Sequence, residues 1–284
     1  LGNGAVQNLS GSQTFTPTTL QSYFVNANYA FNDKYLVGAT FRRDGSSKFL
    51  DDNKYANFPS VSVGWRISEE SFMQDIKWIS DLKIRGSWGQ LGNQSSVPVT
   101  NGFTSFASNR QSSWYDVFGS QNSPQEGFYL SFLGNQQGQW ETNTTTNIGF
   151  DATLFKGSTT VVFDWYHKAT EGLLYNPEQQ AIAGWAAGQA SRNVGSMKNS
   201  GIDLAINNTH AFSKDFTLNT GLTFTTYSNE ITGIAPGLSF FDFNSGANEA
   251  NRIGQNATRN IVGQPLNTYF GYKTNAGYKF GMEV

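Results

Sequence analysis

The only imidazoles in the sequence, His167 and His210, lie far apart and in no metal-holding spacing such as His-Glu-x-x-His. Cysteine is absent, which removes thiolate nucleophiles, zinc–thiolate sites and disulfides. Carboxylates remain as candidates for acid–base work, notably Asp44, Asp151, Asp164 and Asp203. A glycosidase would need two of them about 5 to 9.5 Å apart across a sugar, and their spacing does not specify that arrangement. Structural pairing with Arg42, Arg85 or Lys168 is the ordinary role for such groups on a wet face. The run Arg42-Arg43-Asp44-Gly45-Ser46-Ser47 has the small and basic residues of a phosphate loop but lacks the lysine and following helix of a P-loop. No catalytic residue, cofactor-binding residue or metal ligand is therefore assigned. What remains is a set of aromatics in long polar segments: Trp114, Tyr115, Phe118, Trp185, Phe240, Phe241 and Phe243. Their faces could stack on sugar rings or grip a protein partner, and they could equally pack the loops together.

The elements that would carry these groups follow a period of two, which sends successive side chains to opposite faces of a strand. From 20 to 31, Tyr23, Val25, Ala27, Tyr29 and Phe31 share one face while Asn26 and Asn28 share the other. After Asn32-Asp33-Lys34, the return strand opposes Tyr35, Val37, Ala39 and Phe41 to Gly38, Thr40 and Arg42. The pattern recurs with Val61, Val63 and Trp65 against Ser60, Ser62 and Gly64, then with Leu82, Ile84 and Trp88 against Lys83, Arg85 and Ser87. It recurs again from 141 to 154, from 161 to 168, from 202 to 207 and from 218 to 225, giving about eight strands. Between the third and fourth, Ser68 precedes helically spaced Phe72, Ile76 and Ile79, which predicts a short helix over 69–79. Connections alternate between short (32–34, 155–158, 213–215) and long (44–57, 92–140, 171–196, 232–265). Outer-membrane barrels show this asymmetry, with short periplasmic turns and longer extracellular loops.

Composition supports a lipid-facing wall. Aromatics are 15% of residues and charged residues only 14%, below the roughly 25% of soluble domains. Mean hydropathy is nevertheless negative, and no run approaches the roughly 20 apolar residues of a spanning helix. With Lys+Arg 19 against Asp+Glu 21 and no basic block, nucleic acid is not an expected partner. The expected fold is all-β: an antiparallel transmembrane β-barrel, present as about eight strands of a larger one, with 1–284 forming a single barrel segment. Tyr29, Phe31, Tyr35, Leu154 and Phe216 would line one interface, and Trp88 and Trp165 the other. His167 and His210 would be interfacial. A soluble β-sandwich also alternates with period two, so a carbohydrate-binding or adhesin-like domain stays open, as does a passive porin.

The stretch YLVGATFRRDGSSKF at 35–49, followed by NFPSVSVGWRISEE at 57–70, resembles the SusC/RagA family of TonB-dependent outer-membrane transporters. ISDLKIRGSWGQLGN, WETNTTTNIGFDATLF and NVGSMKNSGIDL, beginning at Ile79, Trp140 and Asn193, are similar to that family too. The resemblance implies a plugged barrel in the bacterial outer membrane, crossing it many times, with no enzymatic activity and no cofactor. It implies a SusD-like surface lipoprotein as lid and a TonB-type protein that couples energy through a plug, a region not visible in this sequence. Oligosaccharides, and in some members peptides, are the implied substrates.

Overall fold

The computed structural model describes residues 17–108, 113–116, 119, 125–175, 188–234, 238–241 and 258–271. Eight long strands form one sheet: β1 (Leu20–Phe31), β2 (Tyr35–Ser46), β3 (Tyr55–Arg66), β4 (Ile79–Asn93), β5 (Glu141–Leu154), β6 (Thr159–Tyr175), β7 (Arg192–Ala211) and β8 (Thr217–Ile234). They pair antiparallel in chain order, so every connection joins neighbours. Their number matches the eight alternating segments of the sequence.

Two adjacent cross-strand rows show what the alternation achieves. Tyr29, Val37, Val63, Gly86, Ile148, Trp165, Ile202 and Thr226 stand side by side across all eight strands. The next row holds Asn28, Gly38, Ser62, Ser87, Asn147, Tyr166, Gly201 and Tyr227. One face is therefore apolar and the other carries amides, hydroxyls and glycines. Val63 is 54% exposed and Leu222 61%, values that a water-facing sheet would not sustain along a whole face. Lipid is the solvent that suits this face.

Short turns close one end of the sheet. Asn32 and Asp33 both take positive φ, 51° and 55°, and Lys34 N–H bonds Phe31 O at 3.1 Å. That left-handed pair is the turn whose twist suits a hairpin, and Asn and Asp tolerate it best after glycine. Aromatic pairs cluster here: Phe31 with Tyr35 (6.4 Å between centroids), Trp78 with Phe155 (6.1 Å) and Phe212 with Phe216 (5.6 Å). His210 meets Phe212 edge-on at 4.5 Å, and toward the other end His167 stacks on Trp165 and bonds Ser200 Oγ.

The helix expected over 69–79 does not form. Two 3₁₀ turns, Ile67–Glu69 and Ser71–Met73, take its place. Backbone bonds there span three residues, as in Met73 N to Glu70 O and Ile76 N to Met73 O. Ser68 donates its hydroxyl to Asp81 Oδ1 at 2.8 Å rather than capping a helix start. Without a cap, a single amphipathic turn has too little length to propagate an α-helix.

The strands also run further than the alternation indicated, reaching Ser46, Tyr175 and Ile234 at the long-loop end. There polar residues mix on both faces with apolar ones packed under the loops, such as Leu174, Tyr175 and Ile231, which erases the period-two signal while the hydrogen-bond ladder continues. Register shifts beside Gly195 and between Ser196 and Met197 mark this upper zone.

Candidate functional site

The polar face divides into three levels. Nearest the short turns lies an ionic group. Arg85 forms a two-pronged bond to Asp164 (Nη1–Oδ1 2.6 Å, Nη2–Oδ2 2.7 Å) and reaches Asp151 from Nε at 3.2 Å. Lys83 Nζ meets Asp151 Oδ2 at 2.8 Å. Arg85 sits on β4 and Asp164 on β6, so they join across β5, directly over Gly149. A Cβ at Gly149 would come within 2.8 Å of the Asp164 carboxylate and 3.2 Å of the Arg85 guanidinium carbon. The expected pairing of these carboxylates with Arg85 is thus found, and Arg42 bonds Asp44 at 2.7 Å. Asp203 and Lys168 enter no ion pair among the described residues. An aspartate held two-pronged by arginine is a poor proton donor or acceptor, so this group braces the wall rather than performing catalysis.

The middle level is uncharged from β1 to β5, and Lys168 on β6 enters the same row beside Thr145. Asn26 donates to Thr40 Oγ1 at 2.7 Å and Asn28 donates to Asn26 Oδ1 at 2.6 Å. With Ser60, Ser62, Ser87 and Thr145 they line an open recess of about 320 Å³. Such a surface offers hydroxyl and amide partners without fixed charge, the chemistry that meets sugars or peptide backbone.

The upper level carries the loops, and here the chain has a core. Phe49 and Phe58 pack on Trp140 at 5.2 and 5.7 Å, with Val97 and Leu174 completing the cluster. Glu141, buried beside it, accepts from Asn93 Nδ2 (3.0 Å), Asn143 Nδ2 (3.3 Å) and the Leu174 N–H (3.2 Å). Thr170 donates to Asn143 Oδ1 at 2.7 Å, which extends the ladder to β6. Buried Asn101 stands in for a backbone partner, accepting from Ser191 N–H (2.7 Å) and donating to Ser191 O (3.2 Å). It locks the loop after β4 to the loop before β7. A second cluster joins Tyr175, Val194, Ile231 and Phe241.

Of the seven aromatics singled out in the sequence, the four described ones fall at this level in different states. Trp114 is partly exposed, with its indole N–H on Ser108 Oγ at 2.8 Å. Tyr115 is exposed and its main chain bridges Gln125. Phe240 keeps an exposed edge while the Arg259 guanidinium lies over its ring at 3.8 Å and over Phe270 at 3.9 Å. Phe241 is only 4% exposed and its ring packs on Tyr175 at 5.1 Å, a foundation position. Phe118, Trp185 and Phe243 lie outside the described residues. Sequence reasoning missed the exposed rings Phe103, Phe106 and Phe128 of the same rim. Their only signal was an aromatic in a polar loop. It also missed Asn101 and Glu141, which lacked any signal, since polar residues in polar segments look alike until burial separates them.

A sheet with an apolar outer face suited to lipid, a wet and unreactive surface on the other, and packed loop segments at one end among the described residues defines a wall segment of a membrane-spanning barrel. The chain belongs to the TonB-dependent receptor-like β-barrel family, whose model matches residues 2–282. It is 32% identical to TonB-dependent receptor P26 of Formosa agariphila over 93% of its own length and 25% of the relative's. It is 34% identical to TonB-dependent receptor SusC of Bacteroides thetaiotaomicron, covering 78% of this chain and 22% of that one. Among solved structures, that of the RagAB peptide transporter superposes with a TM-score of 0.73 at 27% identity, covering 87% of this chain and 25% of that chain. The chain thus spans about a quarter of the length of these relatives. Its kinship to SusC and RagAB agrees with the family suggested by the sequence segments, and these relatives are receptors and transporters rather than enzymes.

Proposed function

We propose that residues 1–284 form one segment of the wall and outer rim of a TonB-dependent importer that crosses the bacterial outer membrane many times and admits nutrients. The observation that carries this reading is the pair of adjacent cross-strand rows, one apolar and one made of amides, hydroxyls and glycines. Kinship to SusC and to the RagAB peptide transporter supports import rather than passive diffusion. The uncharged recess at mid-height suits oligosaccharides first and peptides second, because both present neutral hydrogen-bonding groups. The loop aromatics Trp114, Tyr115, Phe118, Trp185, Phe240 and Phe243 would then stack on substrate or seat a SusD-like surface lipoprotein, while Phe241 packs on Tyr175 below. Energy would come from a TonB-type protein acting through a plug region.

The test uses the full-length protein purified from outer membranes with detergent. Its gel mobility should shift on boiling, as a barrel's does, and calorimetry should detect an oligosaccharide or peptide ligand. Trp114→Ala, Tyr115→Ala or Phe240→Ala should weaken that ligand or the lipoprotein about 10-fold. A soluble protein with no mobility shift would overturn the importer reading and favour a carbohydrate-binding domain. Unchanged affinity for both ligand and lipoprotein in all three variants would remove the aromatics from the site.

A further inference from the structure

The arginine pair set aside as a phosphate loop is split by the pleat. Arg42 points to the polar face and bonds Asp44, while Arg43 stands on the lipid-facing side, in the row above Val25, Phe41 and Pro59. A guanidinium on that face is costly unless an anion meets it. From Tyr35 at the lower aromatic belt to Arg43, β2 climbs eight residues, roughly 27 Å of strand at about 3.4 Å per residue. For a strand tilted by about 40° in an apolar band about 25 Å tall, that places Arg43 just below the upper headgroups, within reach of its side chain.

The surroundings are built to hold it there. The Arg43 guanidinium carbon lies 5.1 Å from the centre of the Tyr55 ring, and Lys54 Nζ lies 6.0 Å from the same ring. Tyr55 is fixed in turn, donating its hydroxyl to Gln21 Oε1 at 2.9 Å while Gln21 bonds the Tyr23 hydroxyl. Its ring lies flat over Gly45, where any Cβ would strike it. Neither Arg43 nor Lys54 enters an ion pair among the described residues, although the exposed Asp51 and Asp52 precede Lys54 in the loop above. Below the two cations runs an open groove of about 480 Å³, lined by Tyr23, Phe24, Val25, Phe41, Arg43 and Tyr55. Cations at headgroup height above an apolar groove match one chemistry: a phosphate joined to acyl chains.

We propose that Arg43 and Lys54, braced by Tyr55, bind the phosphate of an outer-leaflet lipid whose acyl chains lie along the groove over Val25 and Phe41. The inference rests on the membrane-spanning reading of the wall, and the experiment separates the two. Full-length protein in mild detergent is examined by native mass spectrometry with monophosphorylated lipid A, phosphatidylcholine or inorganic phosphate added. The wild type should retain the phosphorylated lipid A in preference to the zwitterionic lipid and should ignore free phosphate. The double variant Arg43→Gln, Lys54→Gln should lose about 25-fold in retention, about 5-fold for each cation. Lys214→Gln, in a short turn at the opposite end, should change nothing. Equal retention by the double variant overturns the site, as does a wild type that holds phosphatidylcholine or free phosphate as firmly as lipid A. Heat-modifiable mobility is followed in parallel. If the wild type lacks it, the membrane reading itself falls, whereas intact mobility with unchanged lipid binding removes this site alone. Should the double variant misfold, the wild-type preference among the three probes decides.

Discussion

The two ends of the sheet are stabilised by different means. At the long-loop end the chain builds its own interior: Phe49, Phe58, Trp140 and Leu174 in one cluster, Tyr175, Val194, Ile231 and Phe241 in another. Toward the short turns almost nothing apolar is buried among the described residues except Ala152, and Tyr35, Trp65, Trp78, Phe155 and Phe216 remain exposed. The lower wall is therefore a folded object only with lipid as its second half, held in register by a continuous backbone ladder. The rim resembles a small soluble domain set on top of it. Loops in water need internal packing to hold a fixed surface, because water gives them no template; the wall has the bilayer for one.

The largest effect expected from this contrast lies in the rim. Trp140 is 8% exposed, packs both phenylalanines and donates its indole N–H to Lys54 O at 3.3 Å. Trp140→Ala should cost about 3–5 kcal/mol of local stability, by lost transfer energy plus a cavity. Limited proteolysis should then cut the loops after β2 and β4 far faster while the barrel keeps its heat-modifiable mobility. If the rim resisted protease as before, its independence as a packed unit would be lost.

The next test bears on the wall. Val63→Arg and Leu222→Arg place a charge on the lipid face and should cost about 2–4 kcal/mol near mid-bilayer. Ser62→Arg and Thr223→Arg, one residue away on the wet face, should cost much less. Urea unfolding from lipid vesicles measures all four. Similar costs on both faces would mean that the wall does not separate lipid from water.

How far the sequence could be read follows the same division. All eight wall strands were legible because each residue there faces one of two opposed solvents, which forces alternation on the sequence. The hairpin at Asn32 and Asp33 was legible for a local reason, the tolerance of those residues for positive φ. Strand extensions above the membrane were not, since Thr142, Asn193 and Ser196 stand among buried Leu174, Val194 and Ile231 without an alternating period. The helix expected over 69–79 does not form because the helically spaced Phe72, Ile76 and Ile79 have no core to face. Phe72 is in fact 63% exposed. The rim was the least legible part. Asn101 and Ser191 join segments ninety positions apart, and no local pattern announces a long-range pair of that kind.

The smallest expected effect lies at the lower belt, where Glu70 gathers the groups that close the short-turn end. It accepts from Tyr35 Oη (2.8 Å), Trp65 Nε1 (3.2 Å) and Lys34 Nζ (3.2 Å). These bonds favour the ionised carboxylate, Tyr35 most, then Trp65 and Lys34, and hold Glu70 below the usual glutamate range. A carboxylate depressed in the folded state stabilises above its unfolded pKa, about 4.3, and that contribution fades as pH falls through the depressed value. Glu70→Gln should therefore lower the thermal midpoint slightly at neutral pH, and the difference from wild type should close as the pH drops well below 4.3. Its partners Tyr35 and Trp65 are exposed, so screening through the partly exposed site keeps the effect small and added salt should shrink it further. A difference that stayed constant from neutral to acid pH would show that the belt is held by aromatic packing in the interface and owes nothing to the charge of Glu70.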